Sequence, residues 1–296
     1  MNRSCVPLIV LTLAAWRAAF APAAEPDRTP RVPPRQSPGS PPRYEFVERA
    51  IRVDGDAADW SGVAANTISG KEHLWIGEGM TARSWSGARD LSYRWRGAWS
   101  GNRLYFLFEV TDDKVVEPNR SASYLCDGIE LLLDPANRGG RRVVVQDGRT
   151  DPFAKCDPKE LMGHEIHVLP TAVPRVYLDH ADQYAFDKPQ TDRFRRQWSG
   201  QAAARKTEHG YLIELGLGVP GAGLKPGSRL GVEIGVCDDD GNGRENIMMW
   251  TATQGEFWMN MDNYGEVTLR AKPPLTANGA RGNGTGEPPL VEWMAM

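Results

Sequence analysis

From Leu104 to Val110 almost every side chain is apolar. Leu104, Phe106, Phe108 and Val110 fall on one face of an extended chain, and Tyr105, Leu107 and Glu109 on the other. A strand that is apolar on both faces belongs in the middle of a sheet. Short runs of this kind recur between turn signals: "AIRVDGD", "LSYRWRGAW", "LYFLFEV", "GIELLLD", "RRVVVQ", "HEIHVLP", "RVYL", "GYLIELGLG", "RLGVEIGVC", "NIMMW" and "GEVTL". There is no internal repeat and little helical periodicity. The spacing predicts an all-β fold, a two-sheet antiparallel β-sandwich of the jelly-roll or immunoglobulin-like kind.

The pattern stops at both ends. Residues 25–43 hold "PDRTPRVPPRQSPGSPPR" and residues 272–296 begin "KPPLTANGARGNGTGEPP", compositions that favour an extended tether over a packed element. The folded body is therefore expected over 44–271, with neither end packed against it. Residues 1–24 read as a signal peptide: Asn2 and Arg3 precede the apolar run Val6–Ala15, and Ala21-Pro22-Ala23-Ala24 forms a cleavage site. Arg17 after the run leaves an uncleaved anchor as the alternative. The expectation is export to the periplasm, the cell surface or the medium, with no membrane span after cleavage. A net charge of -3 and a pI near 6.0 give no basic field for nucleic acid or anionic lipid. In an oxidising compartment Cys126, Cys156 and Cys237 allow at most one intramolecular disulfide. Cys126–Cys237 is the expected pair because both fall near one end of one sheet, and three unbridged thiols are the other possibility.

Six segments in order, "IRVDGDAADW", "YRWRGAWSGNRLYFLFEVTDDKV", "YLCDGIELLLD", "GYLIELGLGVP", "LGVEIGVCDDDGNGRENIMMW" and "YGEVTL", resemble family 9 carbohydrate-binding modules, β-sandwiches found on secreted xylanases and on many exported bacterial proteins. The resemblance covers nearly the whole body. It implies that Glu130 hydrogen-bonds sugar hydroxyls and that Tyr124 and Trp258 form an aromatic clamp. The chemistry suits those residue types: a pyranose presents C–H groups on its faces, which a flat ring covers, and hydroxyls at its rim, which polar groups take. Alternation in "DGIELLLD" supports the acid's placement, with Ile129, Leu131 and Leu133 on the core face and Glu130 on the opposite one. An ordinary solvated or ion-paired glutamate is the competing reading. Gly235 and Gly255 stand where glucan-binding members carry amide side chains, which implies a weaker site or a different ligand. Trp60, Trp95 and Trp250 are expected in the core, and Trp99 and Trp198 offer further stacking surfaces.

The loop "CDDDGNGREN" places Asp238, Asp240 and Asn242 before Gly243 in the D-x-D-x-N-G order of a calcium loop, but Met249 stands where that loop needs a bidentate glutamate. A looser structural calcium site using Asp238, Asp240, Asn242 and Glu245 is expected, in keeping with the calcium common in the family, against an acidic turn in which Arg244 pairs with a neighbouring Asp. A second oxygen-rich turn, "DGDAADW", reads as a cap that seats Trp60. Catalytic motifs are absent: "HEIH" is not a zinc-protease pair, its two histidines pointing to opposite faces of a strand, and there is no G-x-S-x-G or phosphate loop. The sequence therefore reads as a non-catalytic binder of polysaccharide or oligosaccharide, with partner glycoside hydrolases supplying chemistry. Two alternatives stay open, a haem-binding redox sandwich using Met248, Met249, Met259 and Met261, and a glycoside hydrolase whose paired acids meet only in three dimensions. Which glycan is bound and the oligomeric state are not legible.

Overall fold

The computed structural model describes residues 41–75, 85–117, 123–137, 139, 164–171, 175–179, 199–219, 223–252, 257, 261–272 and 293–294. Among these there are strands and short 3-10 turns and no α-helix. The strands are β1 (Arg43–Glu48), β2 (Asn66–Ile68), β3 (Leu91–Ser100), β4 (Arg103–Asp112), β5 (Gly128–Asp134), β6 (His164–Leu169), β7 (Arg175–Asp179), β8 (Ser199–Thr207), β9 (Gly210–Gly218), β10 (Arg229–Asp238), β11 (Asn246–Met249), β12 (Gly265–Arg270) and β13 (Trp293–Met294).

The all-β expectation holds, with one difference in topology. The strands form a single hydrogen-bonded path, β13-β7-β6-β5-β10-β12-β1-β3-β4-β9-β8, with β11 added to β10 and β2 to β3. The seam is β1, which runs parallel to both β12 and β3, whereas the pairings within each half are antiparallel apart from β13 on β7. The path curls so that its halves face each other. Phe106, Phe108, Ile213 and Leu215 from one half share a core with Ile129, Leu131, Ile166 and Ile234 from the other. The Tyr93 hydroxyl donates across that core to the Ile234 carbonyl at 3.2 Å. Trp95 and Trp250 meet edge to face inside it, ring centroids 4.8 Å apart.

Some element boundaries differ from the sequence pattern. The first strand is Arg43–Glu48, where Tyr44 and Phe46 alternate inward, and "AIRVDGD" is irregular backbone. Ile51 and Val53 are nonetheless buried, in a second cluster with Trp60, Tyr105, Leu107 and Leu212 on the outer face of β3, β4 and β9. The Ala-rich β8 carries no β-branched signal and is an edge strand created by its pairing to β9. At the far end, Trp293 and Met294 pair with Val176 and Tyr177, so part of the tail returns to the body.

"DGDAADW" seats Trp60 as expected, and a buried carboxylate on the sheet does the seating. Glu214 accepts from Trp60 Nε1 at 2.7 Å and from the amides of Asp54 and Gly55 at 2.8 and 2.6 Å, while Asp56 caps the 3-10 turn through the Ala58 amide. Glu214→Leu leaves three donors without an acceptor, and a denaturant melt is expected to show a loss of about 3 kcal/mol. An unchanged midpoint would mean the loop is held by apolar contacts alone.

Candidate functional site

Alternation on β5 fixes the site. Ile129, Leu131 and Leu133 enter the main core, which leaves Glu130 and Leu132 on the opposite face. That face is also covered: Trp75, Leu132, Cys237, Ile247, Met249, Phe257, Met261 and Tyr264 form an apolar cluster over it. Glu130 is consequently only 2% exposed. A carboxylate in such a place needs a counter-charge, and Arg244 supplies it, its Nη1 donating to Oε1 at 2.8 Å. Burial pushes the Glu130 carboxyl up, opposed by Arg244 and His167 and aided by Glu165. Burial disfavours the charge on Arg244 more than any one neighbour favours it, yet Glu130, Cys237 and Glu165 together outweigh burial and raise the guanidinium further.

The same guanidinium lies between two rings, 5.6 Å from the Trp75 centroid and 5.5 Å from that of Tyr124. Tyr124 sits in the 3-10 turn Ser123–Leu125, just ahead of β5. Tyr124 and Glu130 are thus brought together, and Arg244 joins them. Trp258 and Gly255 lie outside the described residues. Gly235 is directly opposite Glu130 in the β5–β10 register. A Cβ there would come within 2.7 Å of Ile247 Cδ1 and 3.1 Å of Met249 Sδ, so apolar side chains fill the place that the resemblance assigns to an amide.

Three neighbours of Glu130 had only weak signals in the sequence. Arg244 is adjacent to an acidic run and reads as an Asp partner, whereas its partner is 114 residues away. Trp75 lies in no patterned strand. His167 is opposite Glu130 through the β5–β6 pairing, with Nε2 2.9 Å from Glu165 Oε1 and Nδ1 2.5 Å from Ser123 Oγ. Glu165 follows His167 by simple alternation, but only the register shows that both share the face of Glu130.

The expected disulfide is absent. Cys126 and Cys237 are not joined, because the register sets Cys237 against Gly128 and aims its thiol at Glu130 Oε1, 3.2 Å away. Cys156 lies outside the described residues. The methionines offered for haem are packed: Met248 in the main core, Met249 and Met261 in the cluster over Glu130. Met259 lies outside the described residues.

The acidic loop divides. Asp238 joins Asp112 and Asp127 in a buried group, and Asp240 joins Asp90 and Asp113; within each group the ligand oxygens lie within 4.8 Å of one another. Glu245 is in neither group. Asp127 accepts from the amides of Val116 and Asp239, both at 2.7 Å, and Asp238 from Asn246 Nδ2 at 2.9 Å. Asp112 Oδ2, Asp240 Oδ1 and the hydroxyl of Tyr211 are buried without a protein partner among the described residues. Burial first, and then the other aspartates, push Asp112 up to about 6, Asp127 to about 8 and Asp238 to about 7. Hard, crowded oxygens with unused lone pairs fit Ca²⁺, which takes six to eight such ligands.

Comparison with known proteins agrees with this architecture. Exoglucanase XynX of Acetivibrio thermocellus is 23% identical over 227 residues, which is 75% of this chain and 16% of that protein. The chain therefore spans about one sixth of the curated relative it matches. A family 9 carbohydrate-binding module from Caldicellulosiruptor kristjanssonii, solved in complex with cellotriose, superposes with a TM-score of 0.54 at 19% identity over 81% of this chain and all of that one. Its complex with glucose gives 0.54 at 18% identity over 80% and 100%. At such identities the likeness is one of fold. Residues 61–149 and 170–272 match the profile described as carbohydrate family 9 binding domain-like, which spans well over half of the sequence, and the chain belongs to that family.

Proposed function

We propose that this protein is an exported, non-catalytic carbohydrate-binding module that holds a polysaccharide or its chain end by ring stacking and hydrogen bonds, and so contributes to carbohydrate breakdown by partner glycoside hydrolases. The observation that carries the reading is the meeting of Tyr124 and Glu130 around Arg244, in a chain of a carbohydrate-binding family. Tyr124 and Trp258 supply the flat faces. The Glu130–Arg244 pair acts as a unit, the buried acid fixing a guanidinium whose charged donors meet sugar hydroxyls, taking over from the amides that Gly235 and Gly255 lack. The cellotriose and glucose complexes of the related module make β-glucan the first ligand to try. A structural Ca²⁺ held by Asp112, Asp127 and Asp238, with Asp240 at its edge, would brace the turn that carries Arg244. Cleavage of residues 1–24 on export gives a mature amino terminus that mass spectrometry reads directly.

Affinity electrophoresis through a panel of plant and algal polysaccharides tests the binding. The intact protein is expected to be retarded by at least one glycan, and Trp258→Ala and Tyr124→Ala to lose about 1–3 kcal/mol of affinity each, on the scale of a buried stacking face, with the fold retained. Equal retardation of all three proteins would remove the site from this face. No retardation of the intact protein by any glycan would remove the function.

A further inference from the structure

We infer that His167 is a positioning residue of the ligand site, tying the stacking ring of Tyr124 to the acid of Glu130; this rests on the reading of those two as ligand residues. His167 is 1% exposed and directly opposite Glu130 on the neighbouring strand, so both side chains leave the sheet on one face. Its two nitrogens are held differently. With Glu165 as the carboxylate and the imidazole neutral, Nε2 donates to Glu165 Oε1 and Nδ1 accepts from the Ser123 hydroxyl. Ser123 opens the turn whose next residue is Tyr124, and the Tyr124 ring stands edge-on to the imidazole, centroids 6.5 Å apart at 88°. One imidazole is thus fastened to the turn of the ring, stands against the strand of the acid, and is held in its tautomer by a carboxylate on its own strand.

Among the described residues, charged groups near it include Glu165 on β6, Glu130 on β5 and Arg244 from the turn after β10, and Tyr177 is its register partner on β7. The order hydroxyl, imidazole, carboxylate is that of an activated serine. Here, however, Ser123 is 5% exposed and its hydroxyl is turned to the imidazole inside the body, so the chain of bonds orients a ring. Such a chain reaches the ligand through Tyr124 and Glu130 without touching it, and its loss changes affinity more than it changes the fold.

The amides of asparagine and glutamine separate the two nitrogens. Asparagine places its amide near Nδ1 and keeps an acceptor for Ser123; glutamine places its amide near Nε2, keeps the donor to Glu165 and loses the Ser123 contact. With cellotriose as probe in calorimetry, His167→Asn is expected to stay within about twofold of the parent Kd. His167→Gln and Ser123→Ala should both weaken binding by about fivefold to tenfold. Histidine ¹⁵N resonances of the parent should shift when cellotriose is added. Equal affinities for the parent, His167→Gln and Ser123→Ala would overturn the inference, as would equal losses for His167→Asn and His167→Gln. Tyr124→Ala and Glu130→Gln serve as controls: if they bind like the parent, the site reading fails instead. Should the parent not bind cellotriose, the order of the Tyr124 ring still decides, by aromatic ¹³C relaxation of the parent and Ser123→Ala. A ring loosened by the substitution supports the tie, and an unchanged ring overturns it.

Discussion

Arg244→Met is expected to lower the unfolding free energy by about 3–5 kcal/mol, the cost of stranding a buried charge. The substitution keeps the bulk of the side chain and removes the one cation bonded to Glu130, whose remaining described hydrogen-bond partner is the Cys237 thiol. Glu130 then meets burial with less opposition and its carboxyl rises further. A carboxyl whose folded value lies above its unfolded one contributes stability that is full below the unfolded value and lost as pH rises through the folded value. The variant should therefore be closest to the parent in acid and diverge from it toward neutral pH. Glu130→Leu in the same chain removes the stranded charge, and the double variant should recover much of the loss. Urea melts of the four proteins give the cycle. A single variant as stable as the parent at neutral pH would show that Glu130 does not depend on this arginine.

Calcium should raise the melting temperature by about 5–10 °C when its concentration is a hundredfold above Kd, since binding to the folded state alone contributes about 2.7 kcal/mol there. The ligands expected to meet it are Asp112, Asp127 and Asp238, with an unpartnered oxygen on Asp112. In chelator these carboxyls stand near 6, 8 and 7, all above the ordinary aspartate value of 3.8. The folded state then holds protons that the unfolded state releases. Stability is full in acid and falls as pH rises from about 4 to 8, and calcium should flatten that fall by taking the place of the protons. Scanning fluorimetry across that range, with calcium and with chelator, makes the comparison. Superimposable curves would exclude the cation.

The strands were legible because their apolar runs have a short period and clear turns. Leu104–Val110, Gly128–Asp134 and Arg229–Asp238 are all central, and a central strand writes its burial on both faces. β1 and β8 were harder to read. One lies against a proline-rich segment, and the other consists of alanines and charges whose strand character comes from the partner beside it. That Glu130 and Tyr124 lie near one another was legible, through alternation and family likeness. What surrounds Glu130 depends on register and on loops that return from far along the chain. Alternation gives a face to Glu130, Glu165 and His167 separately, but only the pairing of β5 with β6 makes it the same face. For Arg244 the sequence offers only a neighbouring aspartate, as the alternative to a calcium loop, because sequence distance is the only distance a sequence contains. The same limit explains the cysteines: Cys126 lies in the bend before β5, and Cys237 on β10 turns its thiol to Glu130.

The parallel seam at β1 has a mechanical meaning. Five register pairs tie it to β12 and two to β3, all running in the same direction as β1 itself. A pull delivered through the residues before Arg43, with the rest of the sheet held, drags β1 lengthwise past both neighbours. Its ladder bonds then bear the load together instead of opening one after another. Under such tension the sheet is held at the stitch that the load reaches first.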